Sequence, residues 1–259
     1  MQENGSLVAV TLQDRVLEIR LNRPEKKNAL NGEMYSAMTE ALQNASASPE
    51  TRVVLFAGGP NCFTSGNDLM DFMTGMSAGE NHPVVHFLRA LLSFEKPMIA
   101  AVNGAAVGIG TTLLLHCDLA YASGDAWFQM PFVNLGLCPE AASSVLLPLA
   151  AGPRRASETI LLGRRFSAEE AHSWGLLNGL TASGQADDAA RDAARLLAAQ
   201  PPEAVRVSRR LLREPFRQAA EDALNRELAA FLARLTSPEA AESFAAFFEK
   251  RPPDFSKFS

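Results

Sequence analysis

Apolar residues in the first two-thirds of the chain occur both as short continuous runs and as longer periodic stretches. The runs at 52–57 and 98–102 contain almost no polar side chain, which is typical of strands buried on both faces of a sheet. The stretches at 30–45 and 84–94 repeat apolar residues with the spacing of an amphipathic helix. Because strands and helices alternate, the pattern predicts an α/β core.

The last third of the chain is predicted to be helical throughout. Its apolar spacing indicates separate helices over 185–200, 202–213, 216–235 and 238–250. We therefore expect an α/β core over residues 1–195 and a C-terminal helical region over residues 196–259. This region contains phenylalanines that need burial against the core or against another subunit, namely Phe231, Phe244, Phe247 and Phe248.

Composition and charge exclude some classes of function. The chain has 259 residues, of which 47% are hydrophobic and 20% charged, as expected for one large globular domain. A net charge of −5 without a basic stripe argues against a nucleic-acid partner. Three cysteines without metal-like spacing predict a reducing compartment and no disulfide framework.

The sequence predicts no membrane association. Residues 97–115 carry no charge over 19 positions, but Asn103 and three glycines favour a strand–loop–helix there over a membrane span. The first residues lack a charged-then-apolar signal pattern, and the final four residues do not form a peroxisomal tripeptide. We therefore expect a cytoplasmic protein.

A glycine-rich turn at 102–110 joins a predicted buried strand to a predicted buried helix. Gly104, Gly108 and Gly110 have no side chains, which allows the backbone to approach a ligand or a neighbouring element closely. Free N–H groups at such a helix start favour negative charge, either a phosphate or an oxyanion formed during a reaction. The alternative is tight packing of the helix against the strand. The turn alone leaves both interpretations open.

Three other chemistries fit the residues less well. The same glycine spacing occurs in dinucleotide-binding units, but here it follows several other elements and no Tyr-x-x-x-Lys pair comes after it. Residues 75–79 have the letters of a serine nucleophile elbow, yet no buried strand runs into them. His82 and His86 have the spacing of a metal pair, but Pro83 between them favours a helix start.

A second turn, at 63–69, also follows a buried strand and contains Gly66 before a predicted helix. The two turns together can direct two backbone N–H groups at one oxygen, although an Asn-Asp helix cap explains the second turn equally well. With these two turns in this order, the chain resembles the enoyl-CoA hydratase/isomerase (crotonase) superfamily over essentially its whole length. The matching segments are Asn22-Arg-Pro, Lys27-Asn-Ala-Leu30, Phe63-x-x-Gly-x-Asp68-Leu69, Lys96-Pro97, Asn103-Gly104, Cys117-Asp118 and 168–177.

The resemblance implies a fold, a ligand and a site. It implies a spiral of ββα units with a C-terminal helical region that packs in a homotrimer or a dimer of trimers. The expected ligand is a coenzyme A thioester, which is the substrate, and no separate cofactor is expected. The resemblance also implies an oxyanion hole formed by the backbone N–H groups of Asn67 and Ile109, which would stabilise an enolate of the thioester.

The carboxylates distinguish between reactions of this superfamily. Hydratases of the superfamily use two glutamates, whose positions match Thr112 and Phe132 here. Glu140 instead matches the single catalytic glutamate of the peroxisomal-type Δ3,Δ2-enoyl-CoA isomerases, which moves one proton from C2 to C4. We expect an isomerase; a hydratase, another crotonase-type reaction and a catalytically silent acyl-CoA binder remain alternatives. Glu140 is also predicted to lie in the first turn of a helix over 139–147, where an acid is favourable for its charge alone.

Further positions are expected to contact the substrate. The methionines and Phe72 of a small-residue loop are expected to shape the acyl pocket, namely Met70, Phe72, Met73 and Met76. By the resemblance, the coenzyme A portion contacts Lys26, Lys27, Ala29, Ser65, Asp68, Leu69 and, from a neighbouring subunit, Lys250. For each lysine, simple surface charge is the alternative.

Overall fold

The computed structural model describes residues 6–71, 79 and 81–258 and contains two β-sheets. The first sheet has six strands in the order β1 (Val8–Gln13), β2 (Val16–Leu21), β3 (Val53–Ala57), β5 (Met98–Val102), β7 (Leu119–Ser123) and β10 (Gly179–Thr181). The second has four strands in the order β4 (Cys62–Thr64), β6 (Ala105–Val107), β8 (Trp127–Gln129) and β9 (Arg165–Ser167). Neighbouring strands are parallel except in the pairs β1–β2 and β8–β9.

The chain passes from the large sheet to the small sheet and back in successive turns. The pairs β3–β4, β5–β6 and β7–β8 each contribute one strand to each sheet. Helices connect these pairs, namely α1 (Gly32–Ala47) before β3, α2 (Pro83–Ser93) before β5 and α3 (Ile109–Thr112) before β7. The arrangement is a spiral of ββα units, which confirms the predicted fold class.

The central strands are apolar throughout because helices cover both faces of the large sheet. Val54 and Phe56 of β3 belong to the main core with α1 and α2, whereas Val53 and Leu55 point to a second cluster. The second cluster is completed by α7 (Ala186–Ala198), whose alanines recur at every fourth position. Alanine has no side chain beyond Cβ, so this helix can pack closely on the sheet.

The prediction of a helix over 139–147 was wrong at both ends. The structure places α4 at Ser143–Ala151, and Glu140 lies in a turn before it. Ala141 and Ala142 have φ angles of 58° and 57°, so the backbone there is left-handed and cannot form a helical turn. The helix continues past Pro148 because Leu147 and Ala151 are buried in the core, which offsets the loss of one backbone hydrogen bond.

The C-terminal region begins with one long helix, where two were predicted. Helix α8 spans Pro202–Leu235 and passes through Pro215 without interruption. Contacts on both sides of the proline explain this. Arg209 donates to the Asp118 carboxylate at 2.7 Å, and Leu224 and Phe231 are buried further along the helix. The remaining helices are α5 (Pro153–Leu162), α6 (Ala168–Ser173) and α9 (Pro238–Glu249).

The phenylalanines of the C-terminal region divide into two groups. Phe231 and Phe244 are buried within this chain, whereas Phe247 and Phe248 are 59% and 45% exposed on α9. Packing of the exposed pair against another subunit stays a prediction, as does the domain boundary at residue 195. In the described part of the chain, none of the helices has the length and apolar character that crossing a membrane requires.

Candidate active site

The two turns singled out in the sequence lie side by side. Strands β4 and β6 are parallel neighbours, with Thr64 paired to Ala106. Asn67 and Ile109 each follow their paired residue by three positions, so both lie at the same edge of the small sheet. The glycines allow this proximity: a Cβ on Gly110 would lie 2.4 Å from Thr64 Cγ2.

The backbone around Asn67 and Ile109 leaves both of their amides without a backbone acceptor. Leu30 bonds to residues on either side of Asn67, donating to the Gly66 carbonyl and accepting from the Asp68 N–H, each at 2.8 Å. Ile109 is the first residue of α3, where no earlier carbonyl is in register. Within residues 6–71, 79 and 81–258, neither N–H takes part in a backbone–backbone hydrogen bond.

Glu140 is a buried carboxyl close to these turns. It is 5% exposed and accepts a 2.7 Å hydrogen bond from the Thr112 hydroxyl, which lies on α3 directly after the glycine turn. The pKa of Glu140 is raised to about 7: burial is the main cause, the Thr112 hydrogen bond opposes it, and the charge of Glu227 adds a smaller rise. A carboxyl with this pKa can both accept and release a proton near neutral pH.

Glu140 and Asn67 line one pocket whose walls are otherwise almost entirely apolar. One wall comes from the start of α2 and the other from the last two turns of α8. The apolar wall residues are Val84, Val85, Leu88, Leu228, Phe231, Leu232 and Leu235. This combination of one buried carboxyl, Asn67 and apolar walls suits proton transfer on a substrate with an acyl chain.

Two residues of the site were not identified from the sequence. Tyr35 of α1 is fully buried, and its hydroxyl donates to the side-chain oxygen of Asn67. Burial raises the pKa of Tyr35 and the nearby Glu140 charge adds to this, so the phenol stays protonated as a donor. His82 caps α2 by accepting from the Val84 N–H at 3.2 Å and also lines the pocket. The helix start at Pro83 was readable from the sequence, but the position of His82 at the pocket was not.

The loop expected to border the coenzyme A groove is bonded to the Gly66 turn. Lys26 and Lys27 are exposed at the end of a short 3-10 helix, Pro24–Lys26. The Lys27 carbonyl accepts from the Ser65 N–H at 3.0 Å. Several residues expected to contact coenzyme A therefore come together along one edge of the site.

Arg23 connects Ala29 and Asp68, two more of these residues. Its guanidinium donates to the Ala29 carbonyl at 2.9 Å and to the Asp68 carboxylate at 2.8 Å. Burial alone would raise the pKa of Asp68, but hydrogen bonds from Arg23 and from the N–H groups of Asp71 and Met70 lower it overall. Asp68 therefore holds a charge that organises this loop, and Leu69 beside it is half-buried.

Lys250 lies apart from the pocket within this chain. It is the exposed residue that directly follows α9, with a φ angle of 55°. Among the described residues that line the pocket, none belongs to α9. A contact with coenzyme A would have to be made in a neighbouring subunit, as the sequence analysis expected, and stays a prediction.

The two positions that match hydratase glutamates carry no carboxyl. Thr112 is buried and its hydroxyl donates to Glu140, while Phe132 is 6% exposed and packs into the core. Met70 is 61% exposed, and the other residues expected to shape the acyl pocket, Phe72, Met73 and Met76, lie outside the described residues. The serine of the elbow-like sequence, Ser77, lies outside them as well.

Comparison with known proteins gives a consistent family. The family model described as enoyl-CoA hydratase/isomerase matches residues 11–257. The rat protein enoyl-CoA delta isomerase 2 is 34% identical over 251 residues, which cover 95% of this chain and 64% of the rat protein. The 2,3-dehydroadipyl-CoA hydratase of Escherichia coli K12 is 32% identical over 96% of this chain and 98% of its own length.

A solved structure agrees with the sequence matches. The enoyl-CoA hydratase/isomerase from Pseudoalteromonas atlantica T6c superposes with a TM-score of 0.92 and 42% identity, over 96% of this chain and all of that one. The rat isomerase and the bacterial hydratase are similar to this chain to nearly the same degree, so overall identity does not select a reaction. The family match spans almost the whole chain, and the chain therefore belongs to the enoyl-CoA hydratase/isomerase family.

Proposed function

We propose that this protein is a Δ3,Δ2-enoyl-CoA isomerase that uses Glu140 as its single proton carrier. The ionised Glu140 carboxylate removes a proton from C2 of a 3-enoyl-CoA, and the electron pair left behind delocalises onto the thioester oxygen. The Asn67 and Ile109 amides donate to that oxygen. The enolate then collapses as Glu140 returns the proton to C4, which leaves the double bond between C2 and C3.

The observation that carries this proposal is a single carboxyl in an apolar pocket. Glu140 is the only carboxyl among the described residues that line the pocket, and burial raises its pKa to about 7. One base in such a pocket is sufficient for moving a proton between two carbons. Hydration would need a second group to hold and activate water, and Thr112 and Phe132 stand where hydratases carry glutamates. Phe132 would exclude that water.

The coenzyme A portion is proposed to lie along the loop bonded to the Gly66 turn. Lys26 and Lys27 would meet its phosphates, while Ala29, Ser65, Asp68 and Leu69 would border its adenine end. Replacement of Lys26 and Lys27 together by alanine is expected to weaken coenzyme A binding about tenfold, since exposed charges contribute roughly 1 kcal/mol or less each. Isothermal titration calorimetry with coenzyme A measures this.

Two single variants complete the binding test. Arg195→Ala, an exposed charge change on α7 behind the large sheet, serves as the control and should bind coenzyme A like the wild type. Lys250→Ala is expected to weaken binding if a homotrimer brings this lysine to a neighbouring site. An unchanged affinity would remove Lys250 from the proposed site.

The isomerase is tested directly with a 3-enoyl-CoA substrate. Formation of the conjugated 2-enoyl thioester is followed by its absorbance. Glu140→Gln is expected to lower kcat by roughly 10²–10⁴-fold, because general acid–base catalysis contributes that much. Its affinity for a saturated acyl-CoA should remain close to that of the wild type, since glutamine keeps the shape of the side chain. An unimpaired Glu140→Gln variant would refute the assignment.

The same assay separates the alternatives. Loss of absorbance from a 2-enoyl-CoA, without prior isomerisation, would identify a hydratase. Binding of acyl-CoA with no reaction of either substrate would identify a catalytically silent member. Light scattering of the purified protein tests the proposed homotrimer or dimer of trimers, and a cytoplasmic location likewise stays a proposal.

A further inference from the structure

A second buried carboxyl lies on the helix that closes the pocket. The inward face of α8 presents buried residues at spacings of three and four, and in its second half they are Ala220, Ala223, Leu224, Glu227 and Phe231. Glu227 is the only charged member of this group and is 6% exposed. An acid at a position that otherwise suits an apolar side chain needs a partner on the opposing element.

That partner is the N-terminus of α4. The Oε1 atom of Glu227 accepts a 2.8 Å hydrogen bond from the Ser144 N–H, in the first turn of α4. Ala142, the residue that precedes this helix, has no side chain able to cap it. Glu227 therefore supplies from α8 the cap that α4 lacks locally. Its Oε2 atom is buried and has no hydrogen-bond partner among the described residues.

The capped helix follows directly on the turn that carries Glu140. Two consecutive non-glycine residues of that turn, Ala141 and Ala142, have positive φ angles, which cost about 1 kcal/mol or more each. Such a turn persists only when its surroundings hold it. The Ser143 N–H donates to the Glu140 carbonyl at 3.0 Å, and His116 Nε2 donates to the Ala141 carbonyl at 2.8 Å. The bond from Ser144 to Glu227 holds the turn from its other side.

We propose that Glu227 is a positioning residue for Glu140: its hydrogen bond to the Ser144 N–H holds the turn that carries Glu140, and its carboxyl interacts electrostatically with the Glu140 carboxyl. The proposal rests on the proposed role of Glu140 as the base. When the Glu227 carboxyl is ionised, its charge makes Glu140 more basic, which favours removal of a weakly acidic proton from carbon.

The electrostatic surroundings of the pair support this role. Burial is the main cause that raises the pKa of Glu140, and the charge of Glu227 raises it as well. Burial also raises the pKa of Glu227 itself. Because the two carboxyls interact, they are expected to lose their protons in two coupled steps. Other titratable or charged groups interact with this pair or share its pocket, namely Tyr35 on α1, His82 at the N-cap of α2, Cys138 in the loop before Glu140, and Arg226 on α8.

Glu227→Gln tests the charge. Glutamine can still accept from the Ser144 N–H, so the fold should be retained. The titration midpoint of the Glu140 carboxyl is expected to fall by about 1 pH unit, because a like charge has been removed. Infrared difference spectra against the corresponding Glu140→Gln proteins measure this midpoint in unliganded protein. Glu221→Gln, an exposed charge change on the same helix, is the matched control and should leave the midpoint unchanged.

Glu227→Met tests the positioning. Methionine has a similar length but accepts no normal hydrogen bond from Ser144, so the turn is released. We expect kcat to fall by roughly 10- to 100-fold with little change in KM, since small displacements of a catalytic group cost that much. Glu227→Gln should retain kcat to within about threefold of the wild type, because the hydrogen bond is kept and only basicity changes.

Two outcomes would overturn the proposal: a Glu140 midpoint that is the same in Glu227→Gln and Glu221→Gln, or a folded Glu227→Met variant with the kcat of the wild type. If Glu227→Met does not fold, the Glu140 titration midpoint measured by infrared in Glu227→Gln still tests the proposal. If the wild type isomerises no 3-enoyl-CoA, the proposed function fails, yet the titration still shows whether Glu227 acts on Glu140.

Discussion

At the scale of single residues, the chemistry of Glu140 depends on its surroundings. An exposed glutamate is ionised well below neutral pH and is a weak base. Here burial raises the pKa of Glu140 to about 7, and the Thr112 hydroxyl restrains that rise by stabilising the ionised form. The same side chain would be a poor proton carrier on the surface of the protein.

This environment predicts the pH dependence of isomerisation. In the proposed mechanism the ionised form of Glu140 removes the C2 proton, so kcat/KM should rise as pH increases through about 7 and level off above it. Thr112→Val removes a hydrogen bond to the ionised form with little change in shape. The midpoint of the profile should therefore move to higher pH in this variant. A wild-type profile that is flat between pH 6 and 8 would contradict the role of Glu140.

At the scale of elements, the proposed oxyanion site depends on where α3 begins. Gly108 has a φ angle of 57°, and Ile109 then starts the helix with an N–H that no backbone carbonyl of the described residues accepts. The loop beyond β4 is brought against this helix start because Gly66 and Gly110 carry no side chain. Only the amide of Ile109 is available to that site, because its side chain is buried in the core.

Ile109→Pro separates the amide from the fold. Proline suits the first position of a helix and lacks the N–H, so α3 should persist while one proposed oxyanion donor is lost. We expect kcat to fall by roughly 10²–10³-fold. Ile109→Val keeps the N–H and is the control, with an expected kcat near that of the wild type. Circular dichroism verifies the fold of both. Equal kcat values in two folded variants would show that this amide is not used.

At the scale of the whole molecule, the C-terminal region completes the site. Helix α8 provides one wall of the pocket with Leu228, Phe231, Leu232 and Leu235. Asp118 joins this helix to the core: its carboxylate accepts from the Met98 N–H at 2.8 Å, from Arg209 at 2.7 Å and from Arg213 at 3.0 Å. The pocket therefore depends on a contact at the opposite end of α8.

Asp118→Asn should destabilise the protein by about 3 kcal/mol, because it leaves the buried Arg209 without a counter-charge. The free energy of unfolding in urea measures this loss. Asp192→Asn is the matched control: it removes the partner of Arg195 in an exposed ion pair, which contributes at most about 1 kcal/mol. Equal losses in the two variants would mean that the Asp118 contact does not hold α8 to the core.

Much of the architecture was readable from local pattern. Strands β3 and β5 are buried on both faces, so their apolar runs identify them without knowledge of the fold. The periodic stretch before β5 and the proline at its start identified α2. The order of the motifs indicated the family, and the absence of carboxyls at positions 112 and 132 made Glu140 the candidate base from the sequence alone.

Local pattern failed where distant contacts outweigh propensity. Pro215 favours a break, yet α8 continues through it because Arg209 and Phe231 are anchored on either side. The left-handed turn at Ala141 and Ala142 contains no glycine, so the sequence gives no local signal that predicts it. The meeting of Tyr35 with Asn67, and of Glu227 with the start of α4, joins residues far apart in the chain. Hydrophobic periodicity records which side chains are buried, but it carries no information about which buried groups meet; that pairing arises only when the elements pack together.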